Sequence, residues 1–150
     1  MLKEINFNRR VNMINSVSIG EEIVITAKNK VGLLADIAVI LANHGINIES
    51  VLGYESGRSA KLLLVTQANL PIMTILKKKK YRLIKETEVI IVDLKNHPGA
   101  LKVVTTELKN NKIDIKYIYV TSCSCGGSSR MILQTSNNER VMSLLTRYIE

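Results

Sequence analysis

The sequence predicts an α+β fold, a β-α-β-β-α-β unit built twice, with antiparallel sheets and helices on one face. Two observations predict it. First, the stretch from Glu21 to Val51 reappears from Glu88 to Ile118, 67 positions on and without a gap. Glu21/Glu88, Lys28/Lys95, Asn29/Asn96, Gly32/Gly99, Leu41/Leu108 and Ile48/Ile115 are identical pairs. A repeat of this kind fixes architecture before any single motif does, and it places any site twice. Second, apolar spacing switches between strand and helix periods in the same order within each copy.

The elements follow in order. Residues 22–27 read as a short buried strand and residues 28–32 as a turn. Leu34, Ile37, Ala38 and Leu41 then fall at i, i+3, i+4 and i+7, the spacing of one helix face. Gly45 is the expected left-handed residue beyond its C-terminus. Ile46 to Val51 alternates as a strand, 53–59 marks a hairpin, and 61–67 is a third strand. Asn69-Leu70-Pro71 opens a second helix, since Pro is pre-set for the first turn. Lysines 77–80 close it, where cations suit the helix dipole. Residues 81–86 form a fourth strand that runs toward the next one at 88–94.

The second copy repeats this order. Its helix carries Leu101, Val104, Thr105 and Leu108, and its last helix Val141, Leu144, Leu145 and Tyr148. The hairpin around Cys123-Ser124-Cys125-Gly126-Gly127 is two residues longer, because Lys61 and Arg130 align at an offset of 69. Tyr81 therefore aligns with Glu150, the last residue, so the second unit lacks its own fourth strand. Leu2 to Asn8 has strand-like alternation at Ile5 and Phe7 and is one candidate to fill the gap; another chain is a second, and a loose arm the plainer reading. The expected organisation is an arm or extra strand at 1–20, one unit at 21–86 and another at 87–150. This is the split βαβ, ferredoxin-like pattern.

Composition narrows function. Apolar residues make up 46% and aromatics 4%, so the core must be Ile, Leu and Val. Two small units fold alone only marginally and gain by packing on each other or on a second chain. The N-terminal MLKEINFNRR has charges where a signal peptide needs an apolar stretch. No apolar run approaches the ~20 residues of a membrane span. The expected location is the cytoplasm. A net charge of +8 invites a nucleic-acid reading, but a lysine-rich solvated surface explains it as well.

A strand, then Asn-x-x-Gly-x-Leu, a helix and an Ile-Asn-Ile strand start resembles the ACT domain. The residues are Asn29, Gly32 and Leu34 with Ile46-Asn47-Ile48, and Asn96, Gly99 and Leu101 with Ile113-Asp114-Ile115. The chain from about residue 21 looks like a stand-alone tandem ACT protein with no attached enzyme. That resemblance implies a small-molecule effector, an amino acid, whose occupancy is relayed to a partner enzyme of amino-acid metabolism. A homodimer is expected, since pairing hides the edges that small sheets expose, and neither a catalytic site nor a cofactor is expected.

The expected ligand-binding residues are Asn29, Val31, Gly32, Leu33 and Asn47 in one unit, and Asn96, His97, Gly99, Ala100 and Asp114 in the other. Glycine lets the backbone approach a ligand, and the helix start offers N–H groups to a carboxylate. Asparagine both donates and accepts, and Asp114 suits an ammonium. Each has a plainer reading: Asx turns at the asparagines, turn geometry at the glycines, and solvent contact at Asn47, His97 and Asp114.

Other signals are weaker. Cys123 and Cys125 with His44 or His97 fall short of the four ligands zinc expects, so no metal site is expected. No GxSxG, HExxH or Walker A motif occurs. RNA-binding sheets of this topology need stacking aromatics, and only Tyr117 and Tyr119 share a strand. A basic nucleic-acid-binding protein is the alternative reading.

Overall fold

The computed structural model describes residues 12–81, 83–122 and 125–149. In chain order its elements are β1 (Ile14–Lys28), α1 (Leu33–Asn43), β2 (Ile48–Ser56), β3 (Ser59–Thr66), α2 (Asn69–Lys78), β4 (Leu83–Lys95), α3 (Ala100–Asn110), β5 (Ile115–Ser122), β6 (Ser128–Thr135) and α4 (Asn138–Thr146). The chain divides into two compact units. One is Gly20–Glu88; the other joins Val89–Glu150 to the chain up to Ile19. β1 and β4 therefore each give one part to either unit.

In the Gly20–Glu88 unit, β3 lies between β2 and β1, and β4 flanks β1. The β1–β3 pairing is antiparallel and runs from Glu22 opposite Val65 to Lys28 opposite Ser59. β2 pairs with β3 from Ile48 opposite Thr66 to Ser56 opposite Ser59. Alternate strand residues Ile23, Ile25, Leu62 and Leu64 meet Leu33, Ile37 and Leu41 of α1 and Ile72 and Leu76 of α2 in one core. Full burial of such a side chain contributes about 1.5–3 kcal/mol. α1 ends as its sequence predicts: Gly45 takes φ 68, and Ile46 N–H bonds the Leu41 carbonyl at 3.0 Å, a Schellman closure.

The other unit has the same order of neighbours, with β6 between β5 and β4 and β1 beyond β4. β4 pairs with β6 from Ile90 opposite Leu133 to Lys95 opposite Ser128. Its core gathers Ile90, Val92 and Leu94 with Val104, Leu108, Met131, Val141 and Leu145.

The edge position expected to be vacant here is taken by residues 13–19. Lys95 N–H donates to the Met13 carbonyl at 2.9 Å, and Met13, Ile14 and Val17 are buried in this core. Leu2 to Asn8 lie outside the described residues. Sequence reasoning passed over 13–19 because its buried positions are three apart at Ile14 and Val17, not two apart as in a regular strand. The fold is thus α+β, an antiparallel sheet with helices packed on it, as expected.

Candidate functional site

The β1–α1 turn is built around Gly32. It sits at φ 87 immediately before α1, with no side chain capping the helix. A Cβ at Gly32 would meet nothing within 4 Å, so the glycine serves the left-handed backbone and not a tight contact. Leu33 N–H donates to the Lys30 carbonyl at 3.3 Å, and Asp36 N–H to the Gly32 carbonyl at 2.9 Å.

Asn29 anchors this turn to the β2–β3 hairpin. Its Nδ2 donates to Glu55 Oε2 at 3.1 Å, and its backbone N–H donates to the Arg58 carbonyl at 3.0 Å. The side-chain nitrogen is thus engaged across the sheet, where a local Asx turn was the plainer expectation. Lys30 Nζ bonds Asp36 Oδ2 at 2.7 Å, and that hydrogen bond and charge hold the ammonium above its usual range. Val31 is fully exposed and Leu33 is 5% exposed, so Val31 faces solvent while Leu33 belongs to the core.

The β4–α3 turn has the same frame with different handles. Gly99 takes φ 95 before α3, again with no side-chain cap. His97 N–H donates to the Lys95 carbonyl at 2.8 Å, and Ala100 N–H to the His97 carbonyl at 3.1 Å. His97 Nδ1 lies 2.8 Å from the Pro98 carbonyl. Asn96 and His97 are exposed and Ala100 is buried.

Asn47 and Asp114 do not join their turns within a unit. Asn47 is exposed and precedes β2, whose first residue lies opposite Thr66. Asn29 follows Lys28, which lies opposite Ser59 at the other end of β3. At roughly 3.3 Å per residue the whole strand separates them. Asp114 likewise precedes Ile115, opposite Thr135, while Asn96 follows Lys95, opposite Ser128. Asp114 is held by backbone: its N–H donates to Ser136 Oγ at 3.1 Å, and its carbonyl accepts from Ser136 N–H at 2.9 Å.

A pair of matching clasps escaped sequence reasoning. Thr66 Oγ1 bonds Asn69 Oδ1 at 2.9 Å, and Thr135 Oγ1 bonds Asn138 Oδ1 at 2.9 Å. Each fixes a strand end to the next helix start. The recurring Thr-x-x-Asn at an offset of 69 was the available signal. At the β5–β6 hairpin Cys125 is disulfide-bonded.

Residues 22–71 match the ACT domain. The match spans the β1–α1 turn, α1, β2 and β3. No curated protein matches the chain. Among solved structures, a Bacteroides thetaiotaomicron protein is similar with a TM-score of 0.79 and 21% identity, over 87% of this chain and 89% of that one. The ligand-free regulatory subunit of aspartate kinase from Thermus thermophilus follows at 0.64 and 12%, over 91% and 99%. Aspartokinase III of E. coli, solved with lysine and aspartate, reaches 0.52 and 16%, over 92% of this chain and 34% of that one. At these identities the likeness is one of fold. Among the described residues no helix is long and apolar enough to cross a membrane.

Proposed function

We propose that the chain is a non-enzymatic regulatory protein of two ACT units in tandem, binding an amino acid and passing its occupancy to a partner enzyme of amino-acid metabolism. The observation that carries the reading is the ACT match at 22–71, which falls on an uncapped, glycine-initiated helix beside an exposed loop. Support for amino-acid chemistry comes from the likeness in fold to a regulatory subunit of aspartate kinase and to part of an aspartokinase solved with lysine and aspartate. The tandem reading draws support from the two cores and the shared strand order.

In this reading the first-turn N–H groups of α1 or α3 receive the carboxylate of the ligand. Asn29 or Asn96 orients it. Asn47 and Asp114 lie at the far ends of their units from the turns, so one small ligand touching both kinds of residue needs a second ACT unit, which we assign to a second copy of the chain. That is the physical reason for a homodimer. The protein works in the cytoplasm and needs no cofactor. Signalling follows if the ligand favours one arrangement of the copies over another.

The test is a thermal-shift screen of the twenty amino acids against the chain, Asn29→Ala and Asn96→Ala. One amino acid raising the melting temperature, with the rise lost in one variant, supports the reading and assigns the unit. No rise at any concentration up to solubility refutes it.

A further inference from the structure

The two units differ at one place where their helices meet. In the unit containing Val89–Glu150, Tyr148 follows α4 and packs on the core with Ile149. Its hydroxyl donates to Glu107 Oε2 of α3 at 2.6 Å. The cleft between α3 and the end of α4 is thereby plugged by an aromatic ring held by a carboxylate.

In the Gly20–Glu88 unit both partners are replaced. The 67-residue offset puts Ile40 where Glu107 stands, and the 69-residue offset puts Lys79 where Tyr148 stands. The ring nearest this cleft is instead Tyr81, which packs on the core of this unit and forms one wall of the cleft. What remains is an open groove of about 400 Å³, lined by Ala35, Asp36, Val39, Ile40, Lys79 and Tyr81. Its apolar wall is uncovered: Val39 is 58% exposed.

Lys79 puts a cation in the groove's lining, and the chain around Lys79 is cationic. Lys77, Lys78, Lys79 and Lys80 are all exposed, and among the described residues none of the four is ion-paired. Only Lys77 and Lys78 lie in the last turn of α2, where the helix dipole accounts for a cation. Lys79 and Lys80 lie past it. At the matching place the other unit carries Thr146, Arg147, Tyr148 and Ile149, so the fold itself does not ask for four lysines.

We propose that this groove docks an acidic segment of another protein, seating one aromatic or large apolar side chain against Ala35, Val39 and Ile40 while its carboxylates meet the lysines at 77–80. The occupant's chemistry follows from the other unit, where the equivalent cleft takes a tyrosine, and from the charge of the lysine run. A second copy of this chain, itself at +8, is repelled by that run. A nucleic acid suits it less well, because among the described residues Tyr81 is the only aromatic side chain lining the groove, too few for base stacking. The inference deepens the regulatory reading by naming the surface a partner would use, and it rests on that reading only for what docking accomplishes.

The experiment uses the full chain and a fluorescein-labelled acidic decapeptide of aspartate and glutamate with one central phenylalanine. Anisotropy titrations compare it with the same peptide carrying serine at the centre, and with a single-stranded oligonucleotide of equal charge. Two variants separate groove from lysine run: Ile40→Glu with Lys79→Tyr rebuilds the plug, and Lys79→Glu with Lys80→Glu inverts the charge of the run's end. Circular dichroism of each confirms folding, and Val39→Lys blocks the groove without touching the plug positions. The proposal expects saturable binding that weakens with salt and falls about tenfold or more with the serine peptide and with each variant. No saturable binding overturns it. So does equal affinity for the serine peptide, tighter binding of the oligonucleotide, or indifference to the plug and to Val39→Lys. Self-association through the groove, seen by sedimentation as a doubled mass that the plug abolishes, overturns it in favour of a second copy. Because no amino acid is added, these outcomes are independent of the ligand screen.

Discussion

Single positions state what the turns require. Gly32 has φ 87 and open space where a Cβ would stand, so Gly32→Ala is expected to cost roughly 1–2 kcal/mol through backbone strain alone. A urea midpoint lowered with unchanged slope would show it; an unchanged midpoint would refute the strain argument. Ser50 makes the opposite case. Its hydroxyl is buried with no hydrogen-bond partner among the described residues. Ser50→Ala is expected to be neutral or to stabilise by up to about 1 kcal/mol, since it removes an unpaired polar group. A loss larger than that would reveal a partner for the hydroxyl.

Asp93 is held by Arg130 Nε at 2.9 Å and by Ser16 Oγ at 2.9 Å. The Arg130 hydrogen bond leads in pushing its carboxyl below the usual value of 3.8. A depressed carboxyl stabilises the fold above its unfolded value and loses that contribution as pH falls through the folded one. Asp93→Asn is therefore expected to be less stable than the parent near neutral pH, by about 1 kcal/mol or less for so exposed a pair. The gap should close as pH falls below 3.8. Chemical denaturation at a series of pH values reads it directly, and a gap that persists in acid would exclude the ion pair as its cause.

At the scale of elements, helix ends and the N-terminal strand matter most. α1 closes on Gly45, but α3 closes on Lys112, held at φ 55, with Ile113 N–H on the Leu108 carbonyl at 2.9 Å. Lys112→Gly is expected to raise stability by about 1 kcal/mol, the left-handed penalty less the added freedom of the unfolded glycine. A lowered midpoint would refute the assignment. The first part of β1 is the larger lever. Deleting residues up to 19 removes Met13, Ile14 and Val17 from a core they help close. Amide exchange is expected to lose protection across β4, β5 and β6 at residues 89–135 while α1 and β3 keep theirs. Equal loss in both units would show that they do not unfold separately.

Much of this was legible in the sequence, and the misses have physical causes. Ile37 and Leu41 at helical spacing and Gly45 after them give α1 correctly, because amphipathic period and a left-handed stop are local properties. The run of 81–86 into 88–94 is seen as the single strand β4. The start of β1 was not legible, because a short irregular stretch joins a sheet through partners far along the chain. The candidate turns were legible as residue types, but their geometry was not. Leu33 and Ala100 carry turn motifs yet are core residues, each 5% exposed. Asn47 shares a motif with Asn29, but the strand register places them at opposite ends of β2 and β3. The Lys77-to-Lys80 run reads as a helix-end signature, and the structure places Lys79 of it in the lining of a groove.

For the whole molecule, the central claim is that an amino acid binds at a glycine turn and the chain reports its presence. Binding to the folded form alone stabilises by about 2.7 kcal/mol at a hundred times the dissociation constant, and protection should concentrate where the ligand sits. The most direct measurement is hydrogen–deuterium exchange of the full chain with and without each amino acid, resolved to peptides. The account expects one amino acid to slow exchange at residues 29–36, at 96–103 or at both, with the effect lost in Asn29→Ala or Asn96→Ala. Protection confined to other segments, or none with any amino acid, would contradict it.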